Sequence, residues 1–424
     1  MKDVLSTIGT RYLIAILNLG LIFINSKVLG VAGVGLVGLI LAATNIVGVF
    51  CGILAGNTIV YFMNRYVLRP IFFSAYCWTF VGAAVACGVM FGMGLLPEGY
   101  EVEVYGLAVL TTGVTVNSRI LLGKNQITAF NVVFALQGGL LFFVLLFFYY
   151  GLRIQEVNAY VVSLYITNGI AFLVSLGLIL PYLRQKESNV SNRKPYGVFL
   201  KEMFIYGLWG SADNVAEVCT TRLNYFLIKR FVGLSGVGLL DAGTKVSESV
   251  WHINRSIGFI EYSRVARTND VNEQKQLTLR FFKLTFGAVT LAICGILLLP
   301  EWIYTDYLFS AEFVGMRKVI VGLSVGIVAL ACNSILSQYF VGTGRVRWSV
   351  GCSFLGLFSL LISGYWLMPL YGVVGAAVSC SIAYCSMLTF SLIVFCRVSG
   401  THWTEFRITK SDIRFALSKI RKQT

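Results

Sequence analysis

The chain is a succession of apolar stretches, most about 20 residues or longer, divided by short polar turns, and this spacing decides what it can fold into. An α-helix rises 1.5 Å per residue, so ~20 apolar residues cross a hydrocarbon layer of ~30 Å. In lipid every backbone donor and acceptor must be satisfied within the chain, which a helix does for itself and an open sheet does not. Twelve such stretches are expected, at roughly 12–29, 36–63, 71–96, 104–122, 127–150, 158–181, 203–228, 237–260, 281–299, 317–341, 349–368 and 373–396. The expected class is therefore an all-α polytopic membrane protein with twelve transmembrane helices. Soluble multidomain alternatives are excluded by composition: 12% of residues are charged and 57% hydrophobic, against ~25% charged in soluble proteins.

A net charge of +15 would suggest nucleic acid in a soluble chain, but no Lys/Arg-rich domain is present to hold it. The basic residues instead sort between alternate turns. One set carries Arg65 and Arg69, Arg119 and Lys124, the Arg184–Lys201 group, the Arg264–Lys283 group, and Arg345 with Arg347. The other is acidic at Glu98, Glu101 and Glu103 and holds only Arg153, Lys229, Arg230, Arg317 and Lys318. The positive-inside rule makes the first set cytoplasmic, with both termini inside. Tyr12–Leu29 is too long for a signal-peptide core and has no small-residue cleavage site after it, so it is expected to remain as the first helix. The ten cysteines lie in or beside apolar stretches without a CxxC spacing, as small packing residues do.

An internal repeat divides the chain. Lys27-Val-Leu-Gly30-Val-Ala-Gly33-Val-Gly35-Leu36 matches Arg230-Phe-Val-Gly233-Leu-Ser-Gly236-Val-Gly238-Leu239 at a constant offset of 203 positions (233 − 30). Two lobes of six helices are expected, 1–181 and 203–396, related by a pseudo-two-fold axis along the membrane normal. A cytoplasmic linker at 182–202 joins them. The basic tail 397–424 includes Ser411–Lys422, whose amphipathic pattern suits an interfacial helix. Gly48, Gly52 and Gly56 recur every four residues, a spacing expected of a close helix–helix contact.

The stretch Val237–Ile260 is apolar enough to span, yet carries Asp241, Lys245, Glu248, His252 and Arg255. Steps of four and three residues keep all five on one helical face. Charges at the bilayer centre cost at least ~3 kcal/mol each, so such a stripe must face a polar path or pair closely. The preceding stretch repeats the design with Asp213, Glu217, Thr220 and Asn224 on one face and Arg222 on another. The repeat equates these with a milder wall in the first half, made of Asn18, Asn25 and Lys27, then Thr44 and Asn45. Asp213, Glu217, Asp241, Glu248 and His252 are the candidate carriers of a coupling H+ or Na+. The competing explanation is structural: Asp241–Lys245 and Lys245–Glu248 pairs along one helix. No nucleophile elbow, zinc motif or phosphate-binding loop occurs, and the only histidines are His252 and His402, so no enzyme and no resident cofactor is expected.

Twelve stretches in two halves, the motif Leu29–Leu36, its echo at Gly233–Leu239 and Tyr371-Gly-Val-Val-Gly-Ala-Ala-Val378 together resemble the Wzx-type polysaccharide-repeat (O-antigen) flippases. These form a branch of the multidrug/oligosaccharidyl-lipid/polysaccharide exporter superfamily. The resemblance implies an inner-membrane protein that moves an undecaprenyl-pyrophosphate-linked oligosaccharide to the periplasmic leaflet by alternating access. It also implies membrane lipids and a polysaccharide polymerase as partners. In that setting Lys27, Arg222, Lys245 and Arg255 would meet the pyrophosphate, and Asn18, Asn25 and Asn45 the polar cargo. The alternative is a cation- or proton-coupled multidrug exporter of the multidrug and toxin extrusion type, which would want an acidic, aromatic pocket.

Overall fold

The computed structural model describes residues 2–63, 66–185, 195–250, 265 and 270–407, with side chains from Ile14 onward apart from Ala15. All its regular elements are helical: α1 (Lys2–Ala55), α2 (Asn57–Met63), α3 (Leu68–Gly92), α4 (Glu101–Gly123), α5 (Ile127–Leu146), α6 (Val157–Arg184), α7 (Tyr196–Val232), α8 (Leu234–Glu248), α9 (Val271–Leu297), α10 (Met316–Gly342) and α11 (Val346–Ser399). Eight helices among the described residues are long and apolar enough to cross a membrane. The chain is thus a multi-pass all-α protein, but twelve separate spans are not displayed.

Three departures account for the difference. Helices α1 and α11 each run 54 residues, roughly 80 Å if straight and more than twice the hydrocarbon thickness. Each is broken once, α1 at Gly30 (φ 69°, ψ −178°) and α11 at Gly372 (φ 56°, ψ −129°), so that each contains two of the expected stretches without an intervening loop. Helix α7, polar through Asp213, Asn214 and Glu217, is not among the helices apolar enough to span. The stripe-bearing stretch 237–260 is described only to Val250, and its α8 ends at Glu248.

Gly30 and its repeat partner Gly233 adopt the same backbone conformation; Gly233, at φ 91° and ψ −171°, separates α7 from α8. This corner of φ/ψ space is essentially open only to glycine. The repeat seen in the sequence is therefore also a repeat of backbone geometry. The glycine ladder in α1 behaves differently from expectation. A methyl group at Gly48 or Gly52 would meet nothing within 4 Å, and one at Gly56 would meet only the Gly52 carbonyl of its own helix. Gly56 instead marks the end of α1, where the Thr58 hydroxyl takes over the Ile53 carbonyl at 2.9 Å.

The chain divides into two compact units, Met1–Phe226 and Leu227–Thr424. The division of packing falls inside α7, and the contacts of the first unit show why. Tyr206 stacks on Tyr61 at 4.1 Å, Phe199 meets Phe62 and Tyr66, and Phe204 meets Trp78. The Tyr66 hydroxyl donates to Glu202 at 2.8 Å, and the Ser74 and Tyr196 hydroxyls are 2.7 Å apart. At Gly207 a Cβ would lie 1.9 Å from the Ile53 carbonyl oxygen, so two backbones touch there and only glycine fits. The first part of α7 is thereby built into the core of α1, α2 and α3.

In the second unit α10 is central and largely buried. Small residues let it approach its neighbours: Gly243 of α8 faces Val319, Gly322 faces Ala377 and Gly326 faces Ser381 of α11. The Ser381 hydroxyl bonds the Gly322 carbonyl and accepts from the Gly326 N–H. At the far end Phe282, Phe395 and Phe406 cluster. There Lys275 Nζ donates to Glu405 Oε1 at 2.8 Å and to the Gly400 carbonyl, clamping the turn Trp403–Phe406 onto α9. The expected tail helix Ser411–Lys422 lies outside the described residues.

Alanine at Gly30 or Gly233 should cost about 1–3 kcal/mol of stability, because a side chain is forced into that corner of φ/ψ space. Alanine at Gly48, helical and in open space, should be neutral or slightly stabilising. Thermal unfolding in detergent checks the contrast, and an unchanged midpoint for Gly30→Ala would remove the significance of the shared kink. The clamp predicts a pH dependence. The hydrogen bond from Lys275, helped by the His402 N–H, holds the Glu405 carboxyl below the usual carboxylate range. Its contribution is present above the unfolded-state value and lost as pH falls through the lowered folded value. Hydrogen exchange at 400–407 should therefore stay slow at pH 5 and rise only below about pH 4, whereas Glu405→Gln should raise it at neutral pH too.

Candidate functional site

The second unit's polar elements start from the sequence Leu240-Asp-Ala-Gly-Thr-Lys-Val-Ser-Glu248 on α8. Gly243 seats this helix on Val319 of α10, and the turn carrying Asp241, Ala242, Gly243 and Thr244 is buried. Lys245 Nζ donates to Asp241 Oδ2 at 2.7 Å, one helical turn away. The pair is asymmetric: the Asp241 side chain is 2% exposed and that of Lys245 27%. The carboxylate is hidden and the lysine side chain is partly accessible. The Thr244 and Ser247 hydroxyls are buried without a hydrogen-bond partner among the described residues, and Glu248 Oε1 is likewise shielded. The Asp241–Lys245 partnership expected of a structural pair is thus present. His252 and Arg255 lie outside the described residues.

On α7, in the first unit, Asp213 is half-buried and Glu217 exposed. Thr220 and Asn224 are buried, with the Thr220 hydroxyl bonded back to the Ala216 carbonyl at 2.7 Å. Arg222 Nη1 donates to the Tyr225 hydroxyl at 3.1 Å and its guanidinium lies 5.7 Å from that ring. On α1, Asn18, Lys27 and Asn45 are exposed and Asn25 is buried. Asn25 Oδ1 accepts from the Tyr149 hydroxyl at 3.0 Å, which ties α1 to the end of α5. The repeat offset pairs Thr44 with Ser247, and both are buried hydroxyls without a partner among the described residues. It also pairs the exposed Asn45 with Glu248, so the neutral wall in the first unit corresponds to an ionisable one in the second.

Asn117 stands out in the sequence as an amide within an apolar stretch, but its partners do not. Tyr76 donates to Asn117 Oδ1 at 2.7 Å and Asn117 Nδ2 to Ser175 at 2.9 Å; Gln137 donates to Asn168 at 3.0 Å. These bonds join α3, α4, α5 and α6 inside the first unit. The available signal was a tyrosine or amide within an apolar stretch, each of which needs a partner when buried. Among the described residues no group of three His, Cys, Asp or Glu is placed to hold a metal ion.

This architecture has recognisable relatives. No family model matches the chain. An uncharacterized membrane protein of Methanocaldococcus jannaschii is 23% identical over 244 residues, 55% of this chain. The match spans 47% of that protein, so the chain covers about half of its curated relative. Among solved structures, an inward-facing multidrug resistance MATE family transporter of the MOP superfamily aligns over 91% of this chain and 94% of its own, with a TM-score of 0.71 at 14% identity. The lipid II flippase MurJ in an inward closed conformation aligns over 95% and 89%, with a TM-score of 0.72 at 12% identity. A MOP superfamily transporter from Pyrococcus furiosus, described as having a binding pocket of reverse polarity that suggests a different function, aligns over 94% of both chains at 0.53 and 14%. The chain is a multi-pass all-α membrane protein that shares the fold of the MATE transporter and of MurJ.

Removing Lys245 alone takes the ion-pair partner from a buried carboxylate. Lys245→Met should cost about 3–5 kcal/mol, and adding Asp241→Asn should recover most of it. Thermal unfolding of the two single variants and the double variant, read as a double-mutant cycle, measures the coupling.

Proposed function

We propose that the protein is a flippase that carries an undecaprenyl-pyrophosphate-linked oligosaccharide repeat unit from the cytoplasmic to the periplasmic leaflet by alternating access, driven by an H+ or Na+ gradient. One observation supports an anionic cargo above all: in the α8 ion pair the Asp241 side chain is buried while that of Lys245 is partly exposed. Lys245 can exchange one oxyanion partner for another, leaving Asp241 for a pyrophosphate oxygen and returning when the cargo departs. The contact to the pyrophosphate has to offset the separation of Lys245 from the buried Asp241 carboxylate. Lys27, exposed near the Gly30 kink, is a second cation available to the cargo, and the exposed Asn18 and Asn45 suit sugar hydroxyls. Arg222 and Arg255 complete the cationic set, and Asn25 supports it through Tyr149. Asp213, Glu217, Asp241, Glu248 and His252 remain the candidate ion carriers. The proposal includes both termini in the cytoplasm of a bacterial inner membrane, and a polymerase that receives the flipped unit.

A multidrug exporter with the same fold is the second reading, and the exposed Glu217 beside half-buried Asp213 on α7 favours it. The two diverge in one experiment. Wild-type protein in proteoliposomes should translocate a lipid-linked oligosaccharide. The double variant Asp241→Asn/Lys245→Met, chosen because it should stay folded, should lose ~10-fold or more through the missing charge-assisted contact. Wild-type rates in that variant, or gradient-driven extrusion of cationic dyes by the wild type, would overturn the flippase reading.

A further inference from the structure

Away from the ionisable stripe, a groove of about 410 Å³ opens in the second unit between the first turns of α10 and the part of α11 that follows its Gly372 break. Its mouth carries Arg317, Lys318 and Glu301; its walls are Val321, Val374 and Val378. The register makes it amphiphilic along its length. On α10, Lys318, Val321 and Val325 fall on one face, and on α11 Val374 and Val378 are one turn apart. Val321 is 52% exposed and Val325 66%, apolar surface that in a multi-pass protein meets lipid. Deeper along the pair, Gly326 and Ser381 bring the helices into contact and close the groove.

The charged end is suited to an anion. Arg317 and Lys318 are exposed and sit in the first turn of α10, where free amides add positive potential. The one carboxylate present, Glu301, is engaged by the Gly315 N–H at 2.7 Å, which fixes the loop leading into α10. Among the described residues the hydrogen bond that Arg317 makes is a long one, to the Leu297 carbonyl at 3.5 Å, which leaves most of its guanidinium fork open to an anion. Two cations face one acid at the mouth. They also belong to the turn set that is otherwise poor in Lys and Arg, where the orientation bias gives no reason for them.

We propose that this groove is a binding site for one anionic phospholipid, its phosphate on Arg317 and Lys318 and an acyl chain along Val321, Val374 and Val378. The inference does not depend on what the protein transports, because its readout is lipid occupancy. The full chain is reconstituted in phosphatidylcholine nanodiscs containing a trace of phosphatidylglycerol with a photoreactive acyl chain, and labelled peptides are mapped. Labelling should fall within 317–325 and 374–378. Unlabelled phosphatidylglycerol should compete and phosphatidylcholine should not. Arg317→Gln and Lys318→Gln should each reduce labelling about fivefold, and Val378→Trp, which fills the groove and keeps both charges, should reduce it as well. Thermal unfolding confirms that each variant is folded. Equal competition by phosphatidylcholine, competition by inorganic phosphate alone, or labelling unchanged in the charge variants or in Val378→Trp would each overturn the proposal.

Discussion

A backbone in lipid has no water to bond to, so each interruption of the helical ladder must be made where something else takes the freed groups or where a residue tolerates the turn. In this protein the interruptions fall at glycine. Gly30, Gly233 and Gly372 turn the chain with positive φ, and Gly56 ends α1 where Thr58 caps the Ile53 carbonyl. The same carbonyl is the point that Gly207 of α7 approaches. Break and crossing therefore use one small volume, which explains why the aromatic clamp of Tyr61, Phe62, Tyr206 and Phe199 is gathered around it. Helix ends that would be frayed liabilities become packing sites.

Polar groups follow the same constraint with different solutions in the two units. The first unit satisfies its amides by pairing them with tyrosines and serines, as at Tyr149–Asn25 and Tyr76–Asn117–Ser175. These bonds join helices and leave few groups over. The second unit instead buries a carboxylate and satisfies it with a lysine from its own helix. The net stabilising value of such a pair is small once desolvation is counted.

Class, helical content and repeat were legible because they rest on periodic features: apolar length, charge asymmetry and the duplicated glycine motif. The count of spans was less so, since α1 and α11 pass through Gly30 and Gly372 without a polar turn long enough to separate two helices. The linker was read from the most polar connection, 182–202; that packing places the start of α7 with α1–α3 was not legible, because the aromatic residues responsible are scattered through ordinary apolar text. At the candidate site the i,i+4 pair Asp241–Lys245 was predictable from spacing alone. Which member would be hidden was not, because that depends on Gly243 seating the helix against Val319, a contact between residues far apart in the chain. The partners of Asn117 escaped for the same reason.

A fold shared by a multidrug transporter and a lipid II flippase does not choose between their cargoes, and identities of 14% and 12% carry none of their binding residues across. The choice has to come from the sign of the charge presented to the cargo. An acidic pocket attracts cationic drugs by exposing carboxylates and burying whatever balances them. On α8 the Asp241 side chain is buried and that of Lys245 partly exposed, and the repeat gives the first unit a neutral Asn45 where the second has Glu248. On α7 the exposed Glu217 carries the opposite sign. Removing charge from one helix and then from the other therefore separates an anionic from a cationic cargo, which the shared fold does not.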